Sequence, residues 1–333
     1  MKITDTGPRR IAWVIALAAP IAAISLHLLP ALLSGLLIHA LVRTLAPYLE
    51  RRLSTRSARV TVVALLAAVI VAVFAALVIG VLAFFHGDVG SLSALMTKMA
   101  EVIDSSRPWL PDWIDAYLPA DRIELQAAAA VWLREHAGEI QLFGRESVRG
   151  LVHAGLGMVI GALLALRESD GKRVTGPLVS DLAGYAASFD NAFRQIVFAQ
   201  VQIAAINAVI TGLYLFVALP WFGIHLPLAK TMVVLTFVAG LLPIAGNLVS
   251  NLVIVVISLA HSPALALVSL AFLVSIHKIE YFLNARIVGR RINAAAWELL
   301  VAMLVMEATF GLPGLILAPI YYAYLKVEIE RWQ

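Results

Sequence analysis

The stretch LAKTMVVLTFVAGLLPIAGNLVSNLVIVVISLA, residues 228–260, is an apolar run that helix-breaking residues interrupt in its middle, at Gly240, Pro243 and Gly246. Each half is about fifteen residues long and reaches about 20 Å as a helix, short of the ~30 Å hydrocarbon core of a bilayer. The run therefore predicts a re-entrant helical hairpin, which enters and leaves the membrane on one side.

A second run of the same kind, WELLVAMLVMEATFGLPGLILAPIYYAYL at 297–325, is interrupted at Gly311, Pro313 and Gly314. It predicts a second re-entrant hairpin with two short arms. Broken apolar segments in matching positions of two repeats indicate the transport site of a secondary transporter. The alternative interpretation is that both breaks are kinks in tilted helices that cross the membrane.

The composition identifies an integral membrane protein and excludes several other classes. Of 333 residues, 61% are hydrophobic and 14% charged, whereas soluble domains are about half apolar and a quarter charged. There is no cysteine, which excludes disulfides and thiolate metal sites. The sequence contains no phosphate-binding loop, GxSxG or HExxH motif, so we expect no ATPase, no enzyme, no metal and no cofactor. The mild net charge of +4 does not indicate a nucleic-acid partner.

The order of apolar and polar segments predicts an all-α polytopic protein with about eight membrane segments. Residues 1–85 hold membrane helices at about 11–29, 31–46 and 60–85, and residues 86–147 form a small extracytoplasmic domain of amphipathic helices. Residues 148–194 hold a span at 148–166 and a cytoplasmic amphipathic helix after the Gly176–Pro177 turn. Residues 195–333 form the transport core. Residues 86–147 are rich in tryptophan and acidic side chains, which is typical of an interfacial or extramembrane region.

The distribution of arginine and lysine favours the re-entrant interpretation. If both termini are cytoplasmic and both broken runs return to their starting side, a cationic loop at 286–291 faces the cytoplasm, as the positive-inside rule requires. The span 195–219 with the first run, and the span 264–283 with the second, then form an inverted-topology repeat.

Polar residues inside apolar segments are costly, and they often face a solute path. They form stripes at helical spacing in three segments, followed by one isolated carboxylate: Gln200, Asn207 and Thr211; Asn247, Asn251 and Ser258; His277, Glu280 and Asn284; and Glu307. The uncharged members fit interhelical hydrogen bonds equally well. Glu307 is predicted to be the deepest carboxylate, and a carboxyl group in a low-dielectric interior suits proton coupling, with Glu280 and His277 as alternatives.

Several of these segments together resemble the AI-2E family of bacterial transporters. The resemblance is carried by LAPYLERRLSTRSARVTVVALL at 45–66, FRQIVFAQVQIAAINAVITGLYLFVALPWFGI at 193–224, GLLPIAGNL at 240–248, IEYFLNARIVGRRI at 279–292 and FGLPGLILAPIYYAYLK at 310–326. The chain departs from the family pattern at Ile244, Asn247, Ala285 and the Ala294–Ala295 pair. The resemblance implies export of small polar signalling molecules or cation/proton antiport, and homo-oligomers.

These features favour a multi-pass secondary transporter of the bacterial inner membrane. Its partners would be the lipid bilayer, a small polar solute or cation, and further copies of the same chain. A membrane enzyme is the second hypothesis, but no catalytic constellation in the sequence supports it. A membrane scaffold that acts through residues 86–147 is the third.

Overall fold

A computed structural model describes residues 6–86, 101, 104, 122–167, 176–241, 245–292 and 294–331. Within these ranges the chain is helical and contains no strand. In chain order the helices are α1 (Thr6–Ser25), α2 (Leu29–Glu50), α3 (Thr55–His86), α4 (Arg122–Glu135), α5 (Ala137–Arg167), α6 (Pro177–Leu213), α7 (Ala229–Gly240), α8 (Ala245–His261), α9 (Pro263–Ile292), α10 (Ala296–Phe310) and α11 (Leu312–Glu330). Helix α6 continues through a π-helical segment, Tyr214–Ala218, to Trp221.

Five stretches of the described helices are long and apolar enough to cross a membrane: Leu29–Glu50, Thr55–Ala76, Ala137–Arg167, Pro177–Trp221 and Leu312–Glu330. Their exposed surfaces are rich in valine, leucine and phenylalanine side chains. Soluble proteins rarely expose so large an apolar area to water. The predicted all-α, multi-pass membrane architecture is confirmed at this level.

Three helices are longer and more continuous than the sequence suggested. The predicted cytoplasmic helix and the span 195–219 form one helix, since no proline occurs between Pro177 and Pro220. The segment 286–291, predicted to be a cationic loop, lies within α9. Helix α5 likewise begins at Ala137, so part of the predicted extracytoplasmic region is continuous with a membrane span. Most of 86–121 lies outside the described residues.

The chain divides into two compact units. Unit 1 comprises Met1–Ala72, Phe143–Phe198 and Ala285–Gln333, and unit 2 comprises Val73–Leu142 and Ala199–Asn284. In unit 1, α2 crosses α5 so closely that a side chain on Gly157 would collide with the backbone of Ala31. The unit 2 core is built from buried apolar side chains of α6 and its continuation, of the connection before α7, and of α7, α8 and α9: Tyr214, Leu215, Leu219, Leu226, Met232, Ile254, Leu265 and Leu273.

Each of the two broken runs forms a pair of helices that pack on each other. In the first helix pair, α7 has 12 residues and α8 has 17, and in the second, α10 has 15 and α11 has 19. Helix α7 ends at Gly240 and α10 ends just before Gly311, as the sequence predicted, whereas Pro243 lies outside the described residues. The prediction of two short arms is wrong for α11, which is long enough to span a bilayer.

Candidate functional site

Unit 2 contains a small polar cavity to which four helices contribute. The cavity has a volume of about 10 Å³, which is room for about one water molecule. It is lined by polar side chains from α6, α7, α8 and α9 and closed by two apolar ones: Asn207, Thr211, Thr236, Asn251 and His277, with Leu273 and Ile276. The structure thus brings together two members of the first predicted polar stripe, Asn207 and Thr211, and one member of each of the other two.

Asn207 is the residue of this cavity that is best suited to bind a ligand. Its side chain is 3% exposed, and its Oδ1 atom has no hydrogen-bond partner among the described residues. Thr236 differs, because its hydroxyl donates to the carbonyl oxygen of Met232 at 2.8 Å. A buried acceptor without a donor is unfavourable by about 1–3 kcal/mol, so Asn207 is suited to receive a hydrogen bond or an ion from a bound species.

Gln200 lies two turns before Asn207 on α6, and it acts on the broken run rather than on the cavity. Its Nε2 atom donates a hydrogen bond to the carbonyl oxygen of Gly240 at 2.7 Å. Gly240 is the last residue of α7, where helix carbonyls lose their intrahelical partners. Gln200 therefore fixes the open end of α7 against α6.

The second predicted stripe separates into two environments. Asn251 reaches the cavity, whereas Ser258 lies in a buried network that joins three helices. Ser269 hydrogen-bonds both Ser258 and the hydroxyl of Tyr214, each at 2.8 Å. Ser258 therefore makes an interhelical hydrogen bond, which is the structural alternative that the sequence left open.

Several predicted positions fall at or beyond the edge of what the structure describes. Pro243 lies outside the described residues. Only the backbone is described for four others, two in α8 and two in α9: Gly246, Asn247, Glu280 and Asn284. Their place in a solute path stays a prediction.

The break of the second helix pair is a single residue. Gly311 has φ 63° and ψ −147°, a conformation that essentially only glycine adopts, and its amide donates to the carbonyl oxygen of Glu307 at 2.7 Å. Pro313 lies in the first turn of α11, where its missing amide does no harm. Gly314 packs against the carbonyl group of Met306, leaving no room for a side chain. This break is tightly closed.

Glu307 is not buried, contrary to the prediction from the sequence. Its side chain is exposed, as are those of Leu300 and Leu304, which lie seven and three residues earlier on the same face of α10. The buried face of this helix is carried instead by Met306. The structure therefore does not enclose the Glu307 side chain among the described residues, and its role in proton coupling stays a prediction.

An ionic cluster in unit 1 was missed from the sequence. Asp190 on α6 is 4% exposed, and it accepts hydrogen bonds from His39 Nδ1 at 3.1 Å and Arg43 Nη1 at 3.3 Å, both on α2. The charges of 167–194 suggested a cytoplasmic amphipathic helix, without showing that Asp190 would be buried. The signal for burial was present in the apolar spacing of this segment, where Phe189, four residues after a buried tyrosine, and Phe193 recur at helical intervals.

An ion pair with α10 and a hydrogen bond to α6 hold α11 within unit 1. Glu298, in the first turn of α10, accepts hydrogen bonds from the hydroxyl of Tyr322 and from Lys326 Nζ, the latter at 3.0 Å. Arg331 bonds both Ser188 on α6, at 2.7 Å, and the buried carboxylate of Glu328, at 2.9 Å. Among the described residues, no group of three or more histidine, aspartate or glutamate side chains could hold a metal ion.

Comparison with known proteins points to membrane transporters. The family model of the AI-2E family transporter matches residues 172–333. A Bacillus subtilis protein that carries the name "Putative transport protein YdbI" is 27% identical over 150 residues, which is 44% of this chain and 41% of the relative's length. No solved structure matches the chain. The resemblance seen in the sequence is confirmed over residues 172–333, which are similar to the AI-2E family transporter model.

Proposed function

We propose that the protein is a secondary transporter that moves a small polar solute or ion through the polar cavity of unit 2. The observation that carries this proposal is Asn207, whose buried Oδ1 atom lacks a hydrogen-bond partner among the described residues and belongs to a cavity lined from four helices. The family assignment and the name of the relative support transport in general. Substrate, coupling and direction are part of the proposal.

The lining of the cavity supports a polar or partly dehydrated species rather than an apolar one. Amide and hydroxyl groups predominate, so the site offers both hydrogen-bond donors and acceptors without a fixed negative charge. The volume of about 10 Å³ corresponds to a closed state, since it admits only about one water molecule. A larger solute would enter only after α7 or α8 moves.

The first helix pair is the proposed moving part. Helix α7 has 12 residues, which corresponds to about 18 Å, and its end at Gly240 is held to α6 by Gln200. Release of this hydrogen bond would let α7 shift and widen the cavity beside Thr236. The broken helices of transporters gate their sites in this general way.

We further propose that both helix pairs are re-entrant, that they belong to an inverted repeat, and that both termini are cytoplasmic in the bacterial inner membrane. The short α7 and α10 support this arrangement, whereas the 19 residues of α11 make the repeat unequal. The chain contains no cysteine, so a single introduced cysteine reports its own position. A cysteine at Arg290 should react with a membrane-impermeant maleimide only from the cytoplasmic side, and rapid labelling from outside would contradict the arrangement.

A cation/proton antiporter is the second candidate function. It is favoured by His277, an ionisable side chain in the lining of the cavity. Export of a signalling molecule and assembly into homo-oligomers remain part of the first proposal, on the strength of the family resemblance. A non-transporting scaffold would show no flux of any solute.

The deciding experiment is a flux assay with purified protein in proteoliposomes, using a panel of small polar solutes and monovalent cations with and without a pH gradient. Asn207→Leu removes the unpaired acceptor and should abolish flux, while the protein stays folded. Ser275→Ala is the matched control, because Ser275 is exposed on α9 and bonds only its own helix. Equal flux in the wild type and Asn207→Leu would reject the cavity as the transport site.

A further inference from the structure

The connection between α2 and α3 carries a dense group of free positive charges. Arg51, Arg52 and Arg56 are all exposed, and none has an ion-pair partner among the described residues. Only residues 51–54 separate the two helices. The turn is held by backbone hydrogen bonds to the carbonyl oxygen of Leu49. We call Arg51, Arg52 and Arg56 the arginine face.

The start of α3 does not compensate for these charges. Its first turn contains no acidic residue, although the amino end of a helix favours negative charge and disfavours positive charge. Ser54 caps the helix through Ser57, and Arg56 adds a cation where an anion is preferred. The neighbouring Glu50 supplies one negative charge, which leaves the positive charges of the three arginines in excess. The local electrostatics therefore call for an anion from outside the chain.

The arginine face lies at the ends of apolar helices. Helix α2 and the first part of α3 are both long enough to cross a membrane, and the chain turns between them at residues 51–54. Arg59 donates a hydrogen bond to the carbonyl oxygen of Ala165, near the end of α5, at 2.8 Å. Three apolar helices thus end together, at the level where a bilayer presents its headgroups.

We propose that the arginine face binds the phosphate groups of anionic phospholipids. Guanidinium groups form paired hydrogen bonds with phosphate oxygens, and they keep their charge at every physiological pH. A short, hydrogen-bonded turn holds the three side chains in one small region, which favours a bound headgroup over a diffuse ionic atmosphere. The residues of this lipid site are not among those that line the proposed transport cavity, and its test does not depend on transport.

The test measures which lipids remain bound to the purified full-length chain. The protein is reconstituted in nanodiscs of equal phosphatidylglycerol and phosphatidylcholine, extracted in mild detergent, and its retained lipids are counted by native mass spectrometry. The wild type should retain phosphatidylglycerol preferentially. Replacement of Arg51, Arg52 and Arg56 by glutamine should reduce this preference roughly ten-fold or more, since each cation near an anionic surface contributes appreciably to binding.

Two control variants separate this site from net charge and from misfolding. Glutamine at Arg134, Arg145 and Arg149, which are exposed on α4 and α5, removes the same charge elsewhere and should leave the preference intact. Lysine at the three positions of the arginine face keeps the charge and should retain most of the preference. An unchanged preference in the glutamine variant of the arginine face, or equal losses in that variant and either control, would overturn the proposal.

A further arm distinguishes lipid from free phosphate. Millimolar inorganic phosphate, added before extraction, should leave the retained phosphatidylglycerol unchanged, because the acyl chains anchor the headgroup at the end of α2. Complete displacement by inorganic phosphate would show a soluble-anion site and reject the lipid proposal.

Discussion

Units 1 and 2 use different polar chemistry inside similarly apolar helices. Unit 1 contains charged pairs, in which Asp190 meets His39 and Arg43, and Glu298 meets Lys326. The described interior of unit 2 contains hydroxyl and amide groups instead, such as Thr236 and Asn207. The contrast extends to the helix breaks. The break between α10 and α11 is closed by the backbone geometry of Gly311, whereas the end of α7 is held by the side chain of Gln200.

This difference indicates which unit is built to change. Ion pairs in a low-dielectric interior are strong only in one geometry, and breaking them leaves an uncompensated charge. Neutral amides and hydroxyls exchange hydrogen-bond partners at lower cost, and they also suit a transient ligand. We therefore expect unit 1 substitutions to reduce stability, and unit 2 substitutions to reduce transport with little loss of stability.

The largest expected effect on stability is that of Asp190→Asn. Hydrogen bonds to charged groups contribute about 1.5–3 kcal/mol each, and Arg43 is half exposed, so we expect a loss of about 3 kcal/mol. Thermal unfolding in detergent, followed by circular dichroism, measures it. Asp181→Asn on the same helix is the control, and it should unfold like the wild type. A stable Asp190→Asn variant would remove the distinction between the two units.

Gly311→Ala should have the next largest effect. Its φ of 63° and ψ of −147° are strained for any residue with a Cβ atom, at about 1–3 kcal/mol. The melting temperature should fall, and transport should fall only in proportion to the folded fraction. Gly184→Ala is the control, because the added Cβ atom meets nothing within 4 Å and the helix is if anything strengthened. Loss of flux in a fully folded Gly311→Ala variant would give the second break a gating role as well.

Gln200→Leu should have a smaller effect on stability and a larger one on transport. It leaves the buried carbonyl oxygen of Gly240 without its 2.7 Å hydrogen bond, at a cost of about 1 kcal/mol, and frees the end of α7. Cysteine-labelling of position 241 should accelerate while the melting temperature changes little. Gln195→Leu, at an exposed position on the same helix, is the control. Unchanged labelling and flux would show that Gln200 does not hold the gate.

The sequence was a good guide wherever a residue type restricts the backbone. Glycine and proline punctuation located both helix breaks, because Gly311 is required by its dihedral angles and Pro313 suits only a first helical turn. Helical spacing also brought Asn207 and Asn251 together, since residues on one face of each helix meet where the helices pack.

The sequence was a poor guide to which polar residue becomes buried. Glu307 has apolar neighbours in the sequence, but its side chain is exposed. Asp190 has charged neighbours in the sequence, but its side chain is buried. Burial depends on which face of a helix its partner covers, and that partner is remote in sequence. Asp190 meets His39 across 151 positions of the chain, a pairing that no local pattern encodes.

The smallest expected effect is that of the Glu298–Lys326 pair, which tests whether burial or charge itself distinguishes unit 1. The Glu298 and Lys326 side chains are 24% and 22% exposed, far more than the 6% of Asp190, so water screens their attraction. Glu298→Gln and Lys326→Gln, singly and combined, form a double-mutant cycle by thermal unfolding, with exposed Glu330→Gln as the control. Each single variant should lower the melting temperature only slightly, and the combined variant should lose little more than either one, because each removes the same interaction. A coupling as large as the loss in Asp190→Asn would mean that charge pairing alone, at any depth, holds α10 and α11 together. Burial would then not be what separates the rigid unit from the adaptable one.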